Sequence, residues 1–208
     1  DSPSLDASLL LAAALATTKE GLLASLPEPV PEAAYAAYRE LVERRRRGVP
    51  IAYILGRKAF WGYDFIVDPR VLIPRPDTEL LVELGLSLGD GLGRPVSLHE
   101  ACTGSGCVAL SLALERPSWR VSASDLSLDA LAVAQANAAS LLSPTRPGGP
   151  VELFQADLLE PLEANPGKAG IGYDLVLANP PYVESPQAVD LSTQWGEPLL
   201  ALDGGADG

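Results

Sequence analysis

Apolar residues recur at helical spacing from the start of the chain. Leu5, Leu9, Leu10, Ala13 and Ala16 share one face, and Pro31 to Arg47 carries a second such pattern. Pro31 suits a first helical turn, where its missing N–H is no loss, and Gly48 followed by Pro50 stops the helix. A shorter segment, Ile51 to Leu55, ends at Gly56. The spacing therefore predicts a helical unit over residues 1–60. The rhythm then shortens: Tyr63 to Val67 and Arg70 to Ile73 read as two strands turning at Asp68-Pro69, so that residues 61–77 form a β-hairpin linker. Pro74 and Pro76 end it, and Thr78 to Leu88 returns to helical spacing.

From Val96 the pattern alternates. Val96 to Ala101 reads as a strand, followed by a glycine-rich turn and a helix to Glu115. Arg120 to Ala123 is a second strand, and Leu128 to Leu142 a helix. Beyond the Pro/Gly loop from Pro144 to Pro150 come a third strand, Val151 to Gln155, and a fourth, Tyr173 to Ala178. Such alternation predicts an α/β domain over residues 78–208, with a parallel sheet between helices. Ligands of such sheets bind beyond the carboxyl ends of the strands. Chemistry is therefore sought just after each strand.

Composition narrows the setting. The 208 residues carry 15 Lys+Arg against 27 Asp+Glu, a net charge of −12. Nucleic-acid binding favours a basic face, which this balance does not suggest. The one dense basic run, Arg44 to Arg47, reads either as the solvated end of a helix, where cations complement the dipole, or as a contact for an anionic partner such as ribosomal RNA. No stretch of about twenty residues lacks charges and breakers, so no membrane helix is expected. Leu9 to Ala16 is too short and lacks the basic flank of a secretory signal. Two cysteines, Cys102 and Cys107, suggest no disulfide framework, and a cytoplasmic setting is expected (organellar in a eukaryote). There is no methionine, and the chain stops at Gly208 after a turn-like segment, so both ends are expected to be truncated.

The strand ends carry the candidate chemistry. Glu100-Ala101-Cys102-Thr103-Gly104-Ser105-Gly106 closes the first strand and opens a helix. Its glycines let a ligand approach the backbone, and the helix start offers free N–H groups. Gly104-x-Gly106-x-x-Ala109 also satisfies a dinucleotide fingerprint, so this turn alone leaves a nicotinamide enzyme open. Asp125 follows the second strand, placed to accept ribose hydroxyls or to cap the next helix, a task Ser124 or Ser127 also suits. Asp157 follows the third, placed to meet an adenine amino group or to cap the turn before Leu158. The cysteines and the single histidine, His99, read as packing residues, and no metal site is expected.

Asn179-Pro180-Pro181-Tyr182 follows the fourth strand and decides between these readings. An amide or ring amino nitrogen is a poor nucleophile because its lone pair is delocalised; the rotation barrier of ~18–20 kcal/mol measures how strongly. Two fixed acceptors, the Asn179 side-chain oxygen and the Pro180 carbonyl, can hold its hydrogens and turn the lone pair towards a methyl donor. The prolines stiffen the backbone and add no competing N–H. Tyr182 can pack on a flat face of the target. A nicotinamide enzyme has no use for this box.

The chain resembles the HemK/PrmC family, the protein-(glutamine-N5) methyltransferases of peptide chain release factors. The resemblance runs through Gly48-Val49-Pro50-Ile51-Ala52-Tyr53-Ile54-Leu55-Gly56, Phe60-Trp61-Gly62 and Ile73-Pro74-Arg75-Pro76-Asp77-Thr78-Glu79. It continues through the glycine turn, Asn179 to Tyr182, Glu197-Pro198 and Ala201-Leu202-Asp203-Gly204-Gly205. It implies a Rossmann-like, S-adenosylmethionine-dependent methyltransferase domain, with its last strands missing, behind a small helical domain that recognises the release factor. Cys102, Thr103, Gly104, Ser105, Gly106, Asp125, Asp157, Leu158 and Asn179 would line the S-adenosylmethionine site. Asn179, Pro180, Pro181 and Tyr182 would hold the glutamine of a Gly-Gly-Gln loop, with Arg75 and Glu79 at the border. A monomer is expected, with no nucleic-acid substrate, the alternative being methylation of adenine or guanine amino groups. Cys102 stands where the family has the first glycine of Asp-x-Gly-Thr-Gly, and Leu158 where it often has a bulkier residue.

Overall fold

A computed structural model describes residues 2–25, 27–160 and 172–208. Three helices open the chain: α1 (Pro3–Ala14), α2 (Lys19–Ala24) and α3 (Glu32–Arg46). Ser2 caps α1 by accepting the Leu5 N–H, and Thr18 caps α2 by accepting that of Gly21. α1 buries Leu10 and Ala12, while Leu5 and Ala13 of the apolar series read from the sequence stay exposed. An ion pair between Arg45 Nε and Asp6 Oδ2, at 2.9 Å, ties α3 to α1. Arg46 and Arg47 both pair with Glu43, so the basic run closes a helix and three of its four cations have partners within the fold.

The short helix α4 (Ile51–Leu55) stops at Gly56, whose φ of 70° lies in the left-handed region. The hairpin follows at once and not where the sequence pattern placed it. Its strands are β1 (Arg57–Phe60) and β2 (Tyr63–Ile66), turning at Trp61-Gly62. Phe60 and Phe65 set this register by meeting edge to face in the core. Asp68 accepts both the backbone N–H and the guanidinium of Arg70, so Asp68-Pro69 is a local loop. Residues 70–73 run unpaired, burying Val71 and Ile73 beside Tyr53.

The parallel sheet comprises β3 (Ser97–Ala101), β4 (Arg120–Asp125), β5 (Glu152–Gln155) and β6 (Leu175–Ala178), in the order β5-β4-β3-β6. Helices α5 (Glu79–Asp90), α6 (Cys107–Glu115) and α7 (Leu128–Leu141) pack on it. α6 is apolar all round because its residues from Cys107 to Ala113 are buried. The chain leaves β3 towards β4 and later returns to its other side with β6. This reversal of strand order opens a crevice at the carboxyl end of β3. Beyond it, β7 (Val183–Glu184), α8 (Ser185–Trp195) and β8 (Asp203–Gly205) fold over the carboxyl end of β6, with β7 and β8 parallel. The sequence pattern left α8 unassigned, although Pro186 in its first turn and Gly196 at its end punctuate it. No helix among the described residues is long and apolar enough to cross a membrane.

Candidate functional site

The strand order brings residues distant in sequence into one row. Asp157 follows β5, Asp125 ends β4, Cys102 follows β3 and Asn179 follows β6. Three strand spacings separate the ends of this row, roughly 14 Å. Above it lies a cavity of about 340 Å³ whose wall includes Thr103, Gly104, Ser105, Leu158, Pro180 and Pro181 with the four just named. That volume lies within the range of small-molecule sites. Nearly every residue singled out at a strand end therefore reaches the same space.

Asp125 is the hinge of the row. Its Oδ2 accepts the Gly104 N–H at 2.8 Å and its Oδ1 that of Ser127 at 2.9 Å, so one carboxylate fixes the turn after β3 and the exit of β4. Capping of α7 falls to Ser127, whose hydroxyl accepts the Ala130 N–H. A Cβ built on Gly104 meets nothing within 4 Å, because the space beside it is the cavity. Cys102 adopts φ 57° and Leu158 φ 46°, left-handed conformations that favour glycine. No side chain or backbone group among the described residues hydrogen-bonds to the Asp157 carboxylate, so it does not cap the turn at Leu158.

Three of the sequence candidates stand apart, the first being Glu79, which lies outside the wall and accepts the Trp61 N–H at 2.8 Å. Gly106 lies outside the wall; a Cβ there would sit 3.0 Å from Leu110 and 3.3 Å from Ala134, so its bareness serves the contact of α6 with α7. Tyr182 is 73% exposed and also outside it. Arg75, expected at the border, belongs to the wall, as do Glu100 and Asp203, for which no such place was expected. Glu100 is buried and accepts from the Thr103 hydroxyl and the Ala109 N–H through one oxygen. Burial pushes its carboxyl up to about 7. Burial likewise holds the thiols of Cys102 and Cys107 up at about 11 and about 12, so both stay protonated at neutral pH. His99, on the same strand, is stacked between Phe154 and Tyr173 and bonded at both ring nitrogens, to Ser122 and Ser124. Burial pulls its imidazole down to about 4, and it packs the sheet in neutral form.

Residues 97–195, which carry the parallel sheet and most of the cavity wall, match the family model described as "Methyltransferase small domain", so the fold is that of a methyltransferase domain. Residues 1–56 match the "PrmC N-terminal domain". The chain is 44% identical over 180 residues to the release factor glutamine methyltransferase of Burkholderia pseudomallei, covering 86% of this chain and 61% of that protein. It is 41% identical to that of Bacillus subtilis, covering 97% and 68%, and 42% identical to that of Moorella thermoacetica, covering 99% and 69%. The chain belongs to the release factor glutamine methyltransferase family. It spans about 61% to 69% of the length of these relatives.

Proposed function

We propose that the protein transfers the methyl group of S-adenosylmethionine to the side-chain amide nitrogen of the glutamine in the Gly-Gly-Gln loop of a peptide chain release factor. One observation carries this reading: Asn179, Pro180 and Pro181 share a cavity wall with the turn from Cys102 to Ser105 and with Asp125.

The wall suits the cofactor. A carboxylate offers about four acceptor directions. Asp125 uses two on backbone N–H groups, which leaves two for the ribose hydroxyls. Leu126, Ala156 and Leu158 offer apolar surface to a purine, with the Asp157 carboxylate beside them for its amino group. Asp125 and Asp157, at the β4 and β5 ends of the cavity, favour a cation there. S-adenosylmethionine supplies an electrophilic methyl group on a sulfonium.

The chain's own part is positioning. The Asn179 side-chain oxygen and the Pro180 carbonyl accept the two hydrogens of the target amide and direct its lone pair at the methyl group. The N–C bond would form as the S–C bond breaks with its electron pair left on sulfur, and one of the two amide hydrogens would leave as a proton to solvent. Neither Pro180 nor Pro181 brings an N–H to compete. Tyr182, exposed until a partner docks, covers the flat face of the amide. No enzyme nucleophile is needed, and the protonated thiols supply none. The rate then comes from orientation and preorganised polarity. The helical unit at the amino end holds the release factor and takes no part in the chemistry.

The test is single-turnover methylation of purified release factor, with free nucleic acid in parallel and the product nitrogen located by mass spectrometry. Asn179→Ala is expected to slow transfer by ~10²–10³, the usual cost of one preorganised polar contact. Asn179→Asp is expected to keep cofactor affinity yet turn over slowly, since its charge favours the sulfonium before transfer and not after it. An Asn179→Ala protein within about threefold of wild type, on that same scale, would overturn the mechanism. Methyl groups on nucleic acid and none on glutamine would overturn the substrate.

A further inference from the structure

At the β6 end of the cavity, Asn179, Pro180 and Pro181 present acceptors in abundance and few donors. A peptide lying there brings its own carbonyls and N–H groups, and its carbonyls need a donor that two prolines cannot supply. Arg75 and Asp203 line this same cavity and have opposite hydrogen-bonding character.

Arg75 is fixed from behind. Its Nη2 donates to Oε2 of Glu197, whose side chain is 1% exposed, while Glu197 Oε1 accepts the Ile73 N–H at 3.0 Å. The guanidinium also lies 5.7 Å from the centre of the Trp195 ring. Nε and Nη1 have no hydrogen-bond partner among the described residues, and the side chain is 40% exposed. Asp203 is held as firmly. Its Oδ1 accepts the Ser185 hydroxyl at 2.7 Å and the Gly205 N–H at 2.9 Å, while Oδ2 has no partner among the described residues. Next to it, Gly204 packs so closely on the Asn-Pro-Pro-Tyr backbone that a Cβ would sit 2.8 Å from the Tyr182 Cα. The carboxylate is thus anchored directly against that segment.

We propose that Arg75 and Asp203 clamp the peptide backbone that carries the target glutamine, Arg75 donating to a carbonyl and Asp203 Oδ2 accepting an N–H. Glu197 is the positioning residue of this clamp and touches no substrate. The proposal rests on the function proposed above and names the residues that grip the peptide. The cofactor's carboxylate is the competing partner for Arg75, and the experiment separates the two.

Steady-state kinetics on intact release factor are compared for wild type, Arg75→Lys, Asp203→Asn and Glu197→Gln, with S-adenosylmethionine affinity measured by calorimetry. Asp203→Asn keeps an oxygen for Ser185 and Gly205 while turning the free acceptor into a donor. Each variant is expected to raise KM for the release factor about tenfold, with kcat within about threefold and cofactor affinity within about twofold. A second probe is a Gly-Gly-Gln peptide series in which each backbone N–H in turn is replaced by an ester oxygen. One ester is expected to cost wild type about tenfold and Asp203→Asn almost nothing. Unchanged KM in both clamp variants, or a loss of cofactor affinity matching the loss in KM, would overturn the clamp. A wild-type protein that binds cofactor but leaves release factor unmethylated would overturn the proposed function, and the clamp with it.

Discussion

Cys102 occupies a left-handed position, φ 57°, at the corner where its family resemblance calls for glycine. A Cβ there costs roughly 1–2 kcal/mol, partly offset by the extra entropy glycine loses on folding. Cys102→Gly is therefore expected to be about 1 kcal/mol more stable than Cys102→Ala in urea unfolding, the comparison removing the thiol from both sides. Two neighbours on β3 couple the fold to pH in opposite senses. His99 falls from 6.5 to about 4, so its contribution is complete above 6.5 and is lost as pH drops towards 4. Glu100 rises from 4.5 to about 7, so its contribution is complete below 4.5 and is lost as pH climbs through 7. Between about pH 5 and 6.5 the two slopes cancel. Glu100→Gln leaves only the histidine, and its stability is expected to rise by about 2 kcal/mol over that interval while wild type stays level. A Glu100→Gln curve as flat as wild type would show that the two residues do not titrate as described. The residues after strands were legible in the sequence because their chemistry is unusual at those positions. Glu100 was not legible as part of the wall, since a carboxylate inside a wholly buried strand looks the same whether it faces a cavity or only braces a turn.

Among the elements, the hairpin is tied to α7 by the side chain of Asn137, besides its core contacts through Phe60 and Phe65. Asn137 of α7 accepts the Ile66 N–H at 2.7 Å, donates to the Ile66 carbonyl at 3.0 Å and donates to the Ser105 carbonyl at 2.9 Å. It joins β2 to the glycine turn after β3. Asn137→Ala strands three polar backbone groups and is expected to cost roughly 3 kcal/mol by urea unfolding, with weaker cofactor binding because Ser105 is released. Gly89 fixes how α5 meets the end of the sheet. A Cβ there would sit 2.2 Å from the buried Trp119 ring, so Gly89→Ala is expected to destabilise by about 1–3 kcal/mol despite its better helix propensity. Both tests discriminate, since Asn on an exposed face or glycine in an open helix predicts little loss or a gain. Parallel strands and long helices were legible from their periods. The hairpin was displaced because Arg57 to Phe60 carries only one large apolar residue to mark a strand, and Asp68-Pro69 imitates a turn. The α8 pattern was too short of large apolar residues to declare a helix, and its buried contact is Ala188 alone.

Across the whole molecule, the helical unit and the sheet domain meet at α4. Tyr53 donates to the Val71 carbonyl at 2.6 Å and packs with Val67, Val71 and Ile73. A deletion meant to remove partner recognition alone must end near Gly48 and spare α4. Lacking residues 1–48, the protein is expected to keep cofactor affinity within about twofold while turnover on release factor falls at least about tenfold. Lost cofactor binding in a folded deletion protein would put the division of labour elsewhere. The sheet and its row of strand-end residues were legible because one rule, ligands beyond the carboxyl ends, applies to any such sheet. Of the far wall only Arg75 was legible, through the family resemblance, since nothing local in Glu197 announces that it meets Ile73 and Arg75. Those contacts span 124 and 122 residues of chain. Closing so long a loop is slow compared with pairing neighbours. β3 through β6 can therefore pair before Glu197 has met Ile73 and Arg75. The sheet thus forms ahead of the far wall of the cavity. The shape of that wall is settled among the last events of folding.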